Sequence, residues 1–488
     1  MQQANNVLLV ILDSVRAANC SLYGHPEPTT PFLERFATSE ATLFEHAKAA
    51  GAKSLTSHAS IFSGLVVEEH GIRTAGTKLS PEQHAFATLG RRGYDTAVFS
   101  ENDWLTAVDV GLKDGFERVV GAQNIPYPES VNPDEFVSVN GPGEYGAYLR
   151  EAVAAPSPLK ALANGVSKKV KSDYSQLLPR GSAATTPGRF YVDRFLEWSR
   201  NRGSPWAACI NLMDAHLPYE PLTEFDQWDD GSARSLQSEF QDQTWDFHGG
   251  RRPWWQKRAV ESVYDGTILQ CDTYLRRLIE SLRARGELDD TLVIITADHG
   301  EGFGEPSRLD SSMRIAAHGV SGHEAILHVP LVIRVPGQAE STVISKPFSL
   351  SWLREILEAE KPGEIVNSIV ADSKQVLSAA LGLDAPGKRR AESYVEDTRP
   401  WHDDTRVVYE WDESGGQVVK HVSRGEHALT VLCRDAQTQW VQGDGTGSRG
   451  RIAAAYRTVE PASSPASGDG INDLDDETRD RLERLGYL

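Results

Sequence analysis

The chain has 488 residues and carries 69 Asp and Glu against 50 Lys and Arg, a formal charge of −19. That balance argues against nucleic acid as a partner, because phosphate backbones are held by basic surface. No run approaches the roughly 20 uninterrupted apolar residues of a membrane span, and a single core stops growing at about 250 to 300 residues, so a large unit plus a smaller one is expected.

Met1 to Asn6 lacks the basic region and small-residue cleavage site of a secretory signal, so a cytoplasmic location is expected. Cys20, Cys209, Cys271 and Cys433 show no zinc spacing and read as buried thiols. Only 14 of the basic residues are Lys. An acid-rich, Lys-poor surface suits either a salt-loving host or an ordinary acidic enzyme of a GC-rich genome.

In chain order, Val7 to Asp13 reads as a buried strand, followed by helices over Pro31 to Ser39, Thr56 to Ser63 and Pro81 to Arg92. Thr96 to Ser100 is a second strand. Between 121 and 189 the periodicity fades into Pro, Gly, Ser and Asn, with a basic cluster at Lys168, Lys169 and Lys171, which marks an insertion that acts either as a lid or as a mobile surface loop. Strands over Ala207 to Met213, Leu292 to Asp298 and Pro330 to Val335 flank a long helix from about Trp255 to Arg285. Short apolar runs alternating with helices predict an α/β fold with a mostly parallel sheet covered by helices on both faces. Beyond about 341, Arg406 to Tyr409, Val418 to Val422 and Leu429 to Cys433 read as antiparallel strands of a small α+β unit. The expected organisation is a catalytic unit over 1–340, the α+β unit over 341–460, and a linker (Pro461 to Gly470) with an acidic helix (Asp473 to Leu488) over 461–488.

In such sheets ligands bind beyond the carboxyl ends of the strands. Three runs deliver a carboxylate there: Asp13, Asp214 and Asp298. Ser54 stands just before a helix, where its hydroxyl is either an activated nucleophile in the positive end of the helix dipole or, like Thr56, a cap. Asp298 and His299, between a buried strand and a Gly-rich turn, offer an oxygen and a nitrogen suited to Mg²⁺, Mn²⁺, Ca²⁺ or Zn²⁺.

Taken together, these motifs resemble the sulfatase branch of the alkaline phosphatase superfamily over roughly residues 5 to 340. The series runs from Val10-Ile11-Leu12-Asp13-Ser14-Val15-Arg16, through Lys53 to Gly64 with His70-Gly71, to Thr296-Ala297-Asp298-His299-Gly300-Glu301-Gly302-Phe303-Gly304-Glu305 and His318-Gly319, Gly322-His323. The resemblance implies an alkaline-phosphatase-like fold and a hydrolase of sulfate or phosphate esters, with Asp13, Asp298 and His299 holding one or two divalent ions. Many relatives carry a second Asp where this chain has Ser14. Sulfatases set a formylglycine-forming cysteine in a C-x-P-x-R context; here Ser54, Thr56 and His58 stand at those three defining positions, so the position is similar to the Ser or Thr nucleophile of the phosphoesterase branches.

The resemblance also implies catalytic roles for His216, in the segment Asn211 to Tyr219, and for His323, where sulfatases often place a substrate-binding lysine. Asn102, His318 and Lys53 are the expected substrate contacts, and His328 is expected to be structural. The substrate is then a small-molecule, glycan or lipid ester. Rival readings are a true sulfatase using a modified Ser54 or a metal-bound water, a phospho-group transferase of the same fold, and a catalytically degenerate binding protein.

Overall fold

A computed structural model describes residues 5–122, 130–133, 136, 144–174, 187–200, 202–372, 375–443 and 445–460, with 466, 467, 474, 478 and 482 beyond; for 167–174 it describes the backbone alone. The expected linker and acidic terminus therefore lie almost wholly outside the described residues.

Eight strands form the main sheet: β1 (Asn6–Leu12), β2 (Thr42–Lys48), β3 (Asp95–Ser100), β4 (Arg118–Val120), β5 (Trp206–Leu212), β6 (Thr291–Thr296), β7 (Leu331–Arg334) and β8 (Thr342–Ser349), in the order β8-β2-β7-β6-β1-β5-β3-β4. β1, β5 and β6 are central. Their near-continuous apolar sequences follow from burial on both faces. All pairings are parallel except those of β7, which runs antiparallel to both β6 and β2. The Pro330 to Val335 run was expected to join the parallel set. Leu331 aligns with Thr296, so the 297–330 segment, which carries Asp298, His299 and His318, stays at the carboxyl edge and the chain re-enters the sheet there, running the other way.

Register is what builds the functional edge. Ile11 aligns with Asn211 and with Thr296, and Ser100 aligns with Asn211. Residues just beyond these positions, Asp13, Asn102 and Asp298, therefore emerge side by side.

Helices α1 (Pro31–Glu40), α2 (Ser54–Ser63), α5 (Gly188–Trp198) and α6 (Glu261–Ala284) cover the sheet, and α3 (Tyr145–Ala154) and α4 (Pro158–Tyr174) pack on each other. The long helix expected from Trp255 is two helices, Trp254–Ala259 and α6, meeting at Val260. Within the expected 121–189 insertion, α3 and α4 form a hairpin with its own small core of Phe136, Tyr148, Ala152 and Ala161.

A second, antiparallel sheet of five strands runs from Val376 to Val441. The main sheet continues past residue 341, because β8 pairs with β2, so the change of architecture falls later in the chain than the change of sequence texture. The two sheets meet at buried Glu324, whose carboxylate receives Lys48 Nζ (2.6 Å), Lys420 Nζ (2.8 Å) and Tyr409 OH (2.7 Å). Lys420 and Tyr409 belong to the second sheet. Burial alone would raise the Glu324 carboxyl, but Lys420, Lys48 and His328 hold it well below its ordinary range.

Candidate active site

All ten residues of α2 are buried, although six are polar: Ser54, Thr56, Ser57, His58, Ser60 and Ser63. Buried polar groups demand partners. Ser57 Oγ donates to the Asp298 carbonyl (2.5 Å), His58 bridges the Ser54 carbonyl (2.8 Å) and Asn211 Oδ1 (3.2 Å), and Ser60 Oγ meets His70 Nε2 (3.1 Å). The helix is thereby pinned to the ends of β5 and β6.

Ser54 is the first helical residue, and Lys53 occupies the cap position without a side-chain cap bond. Capping thus does not account for Ser54. Its Oγ lies 3.1 Å from His299 Nε2. Thr56, the other candidate cap, turns its hydroxyl back to the Lys53 carbonyl (3.0 Å).

Asp13, Asp298 and His299 are fully buried, and one ligand atom from each lies within 4.8 Å of the others. Their surroundings fix which atoms point inward. Asp13 Oδ2 receives Asn102 Nδ2 (2.9 Å) and Asn211 Nδ2 (3.3 Å), while Oδ1 receives Ser14 Oγ (3.1 Å). Asp298 Oδ1 receives the backbone N–H of Ser14 (3.1 Å) and of His299 (2.9 Å). His299 Nδ1 lies 3.0 Å from the Gly300 carbonyl, which can only accept, so Nδ1 carries the proton and Nε2 presents its lone pair.

Asp298 Oδ2 has no hydrogen-bond partner and lies 3.4 Å from His299 Nε2 and 3.5 Å from His58 Nδ1. Burial pushes the Asp298 carboxyl up, but His299, His58 and the Ser14 amide together hold it below its ordinary value. Burial pushes His299 down, yet Asp298 and Asp13 raise it overall. A buried carboxylate oxygen without a donor, set among two carboxylates and an imidazole lone pair, fits a divalent cation. Two backbone features hold this cradle. Ser14 adopts φ 62°, in the left-handed region, which brings its amide to Asp298. Gly300 leaves room where a Cβ would sit 2.1 Å from the Ala325 carbonyl.

Two further histidines close around the centre. The His318 ring lies 4.2 Å from that of His299 and 5.3 Å from that of His216, centroid to centroid. His216 Nδ1 is tied to the Leu217 carbonyl (2.8 Å) and His318 Nδ1 faces Glu301 Oε2 (3.3 Å). Glu301 is buried, which alone would raise its pKa, but His318, Lys257 and His216 hold it at about 2. Burial, with His299 nearby, presses His318 down to about 4.

A cleft of about 730 Å³ opens beside this centre, with Lys53, Leu217, His318, Trp245, Asp384 and Arg390 among its walls. Burial lowers the Lys53 ammonium pKa against the pull of Asp384 and Asp404.

The structure therefore brings together Asp13, Ser54, Asp298, His299, His216 and His318, with Lys53 on the cleft wall. Asn102, expected at the substrate, has both ends of its amide engaged, one on Asp13 and the other on the Trp104 N–H (3.0 Å), so it orients a ligand from behind. His323 lies apart. Its Nδ1 caps a short helix by accepting from Ala325 N–H (3.1 Å), and its ring lines a separate small cavity with Lys420 and Arg424. Asp214 is also turned away, accepting from the Gly188 amide (3.1 Å) and Gln270 (2.5 Å). His328 is structural, bound through Nε2 to the Glu45 carbonyl (2.8 Å). Sequence reasoning gave no role to His58, Asn211 or Glu301. Their signals were available: His58 is one helical turn from Ser54, Asn211 ends a strand flanking β1, and Glu301 follows His299 by two.

A family model described as Sulfatase matches residues 5–359. The chain belongs to the sulfatase family. An N-acetylglucosamine-6-O-sulfatase of Bacteroides thetaiotaomicron is 22% identical to this sulfatase-family chain over 378 residues, 71% of this chain and 65% of the relative. The match thus spans slightly under two thirds of that relative's length. An arylsulfatase of Clostridium perfringens is 21% identical over 374 residues, 72% of this chain and 73% of the relative. Among solved structures, a phosphonate monoester hydrolase of Agrobacterium radiobacter superposes with a TM-score of 0.57 at 18% identity, covering 87% of this chain and 88% of its own, which shows a shared fold.

Proposed function

We propose that this chain is a divalent-metal-dependent hydrolase of phosphate or sulfate esters in which Ser54 is the nucleophile, with phosphorus esters preferred. The observation that carries this reading is the position of Ser54 Oγ, buried at the first turn of α2 and 3.1 Å from the imidazole nitrogen of a three-residue ligand set.

Asp13, Asp298 and His299 would hold the cation. When bound, it supplies Lewis acidity that favours the Ser54 alkoxide and offsets charge on the transferring group's oxygens. Ser54 Oγ forms a bond to phosphorus or sulfur as the bond to the leaving alcohol oxygen breaks, with the helix dipole favouring the anion. His216 and His318, each held in place through Nδ1, would meet the non-bridging or leaving oxygen. Lys53 would contact the anion from the cleft wall. Water then cleaves the Ser54 ester, releasing phosphate or sulfate and restoring the serine. Serine at the formylglycine position supports phosphorus esters over sulfates.

The named relatives act on a sugar sulfate and an aryl sulfate, and the named structure on a phosphonate monoester; sugar and aryl esters and phosphonate monoesters are therefore the natural substrates to try first. Mg²⁺, Mn²⁺, Ca²⁺ and Zn²⁺ all suit the donor set. Four buried, unpaired cysteines support a reducing, cytoplasmic setting.

The test is hydrolysis of aryl phosphate, phosphodiester, phosphonate and sulfate with each metal in turn. Phosphorus esters should turn over faster, and Ser54→Ala should lower kcat at least about a thousandfold. Undiminished turnover by Ser54→Ala removes the nucleophile from this reading. Intact mass of the Ser54 peptide should show plain serine; an aldehyde there would favour a true sulfatase.

A further inference from the structure

Five of the eleven large apolar side chains that are exposed among the described residues lie on the α3–α4 hairpin: Tyr145 (63%), Leu149 (52%), Val153 (62%), Leu159 (83%) and Val166 (62%). They follow helical spacing. Tyr145, Leu149 and Val153 are four apart on α3, and Leu159 and Val166 are seven apart on α4, so each helix carries an apolar stripe outward. The inward stripe of Tyr148, Ala152 and Ala161 already forms the hairpin's core. The outward stripes lie outside the hairpin's own core.

The charge of this segment is the reverse of the chain's. From 145 to 174 the sequence has Arg150, Lys160, Lys168, Lys169 and Lys171 against Glu151 and Asp173, in a protein of net charge −19. Four of the chain's 14 lysines fall within these 30 positions. The hairpin leaves the sheet after β4 and rejoins it at Gly188, whose amide is held by Asp214 beyond β5. Both feet stand on the carboxyl edge that carries Asp13, Asn102 and Asn211.

We infer that the α3–α4 hairpin is a docking surface for an anionic phospholipid bilayer, peripheral and without a span. The aliphatic and tyrosine side chains enter the headgroup–acyl boundary, and the net positive charge of the segment favours anionic headgroups. A protein partner fits less well, because buried protein interfaces are depleted in lysine, whereas exposed aliphatics on a lysine-rich segment are what a bilayer interface takes. The acidic remainder of the chain is repelled by the same surface, so contact is confined to the hairpin.

The experiment is flotation of the full chain with phosphatidylcholine vesicles and with phosphatidylcholine–phosphatidylglycerol vesicles at low and high salt. The chain should bind the anionic vesicles at low salt and leave them at high salt. Lys168→Glu/Lys169→Glu/Lys171→Glu should weaken partition about a hundredfold, and Leu149→Glu/Leu159→Glu about tenfold or more. Both sets change exposed or helix-end positions outside the catalytic centre, and an unchanged thermal midpoint shows that each variant is folded. Failure of wild-type chain to bind anionic vesicles at low salt overturns the inference, as does equal binding to neutral vesicles. So does a self-associated chain that Leu149→Glu/Leu159→Glu converts to monomer without any vesicle binding.

Discussion

Asn102 and Asn211 converge on one oxygen, Asp13 Oδ2, from the ends of β3 and β5. Neither asparagine faces the cleft, yet both decide where the carboxylate points. Asn102→Ala removes a donor from Asp13 and a cap from Trp104, and should weaken metal affinity by about ten- to a hundredfold, measured by metal titration, while the fold persists. An unchanged affinity would mean that Asp13 is oriented by Asn211 and Ser14 alone. At this scale the ligands were legible and their supports were not. Asp13 and Asp298 announce themselves as polar residues closing apolar strands, whereas Asn102, marked by the resemblance only as a substrate contact, lies 89 residues from the oxygen it orients. His323 misleads for the complementary reason: its place in the motif order is right, but the turn at 317–323 gives the approach to the centre to His318 and turns His323 toward Lys420.

At the scale of elements, α1 shows how a helix start can be completed from afar. Thr30 makes no side-chain cap bond; the Phe32 and Leu33 amides donate instead to Asp272 of α6, at 2.7 and 2.8 Å. Burial presses that carboxyl up to about 7 although the two amides pull it down. Asp272→Ala leaves both N–H groups buried without acceptors and should cost about 2–4 kcal/mol in urea unfolding. A loss below about 0.5 kcal/mol would show that water or another acceptor takes over. The existence of both helices was readable from their periodicity, but the bond between them was not, because it joins residues 240 apart in the chain. The same logic explains α2. Its Ser, Thr and His residues read from sequence as a weak, polar helix, and their burial makes sense only when β5 and β6 supply partners.

Across the whole molecule, burial presses His70, His84 and His248 down to about 4, while in an unfolded chain each titrates near 6.5. Between those values the unfolded chain binds more protons than the folded one, so stability is full above about pH 6.5 and falls as pH drops toward 4. The expected slope is about 1.4 kcal/mol per pH unit for each histidine. Urea midpoints measured from pH 8 to 4.5 should decline below 6.5, the three histidines outweighing Asp272, whose raised pKa acts in the opposite sense over the same range; a level midpoint throughout would contradict these assignments. The parallel sheet itself was legible, since buried strands alternate with helices from residue 6 onward. What the texture of the chain could not show is strand direction at Leu331–Arg334 or the membership of Thr342–Ser349, both of which depend on pairing with Thr42–Lys48.

The central place of β1 has a consequence in time. Ser14 is hydrogen-bonded to Asp298 across 284 residues. A ribosome adding about 5–20 residues per second takes roughly a quarter of a minute to a minute to make that interval. For about the first two thirds of that period β1 has been made without either of its neighbours, and β6 is completed only at its end. The amino-terminal segment is thus a natural client for chaperones during synthesis, and the catalytic centre cannot assemble until His299 has been made.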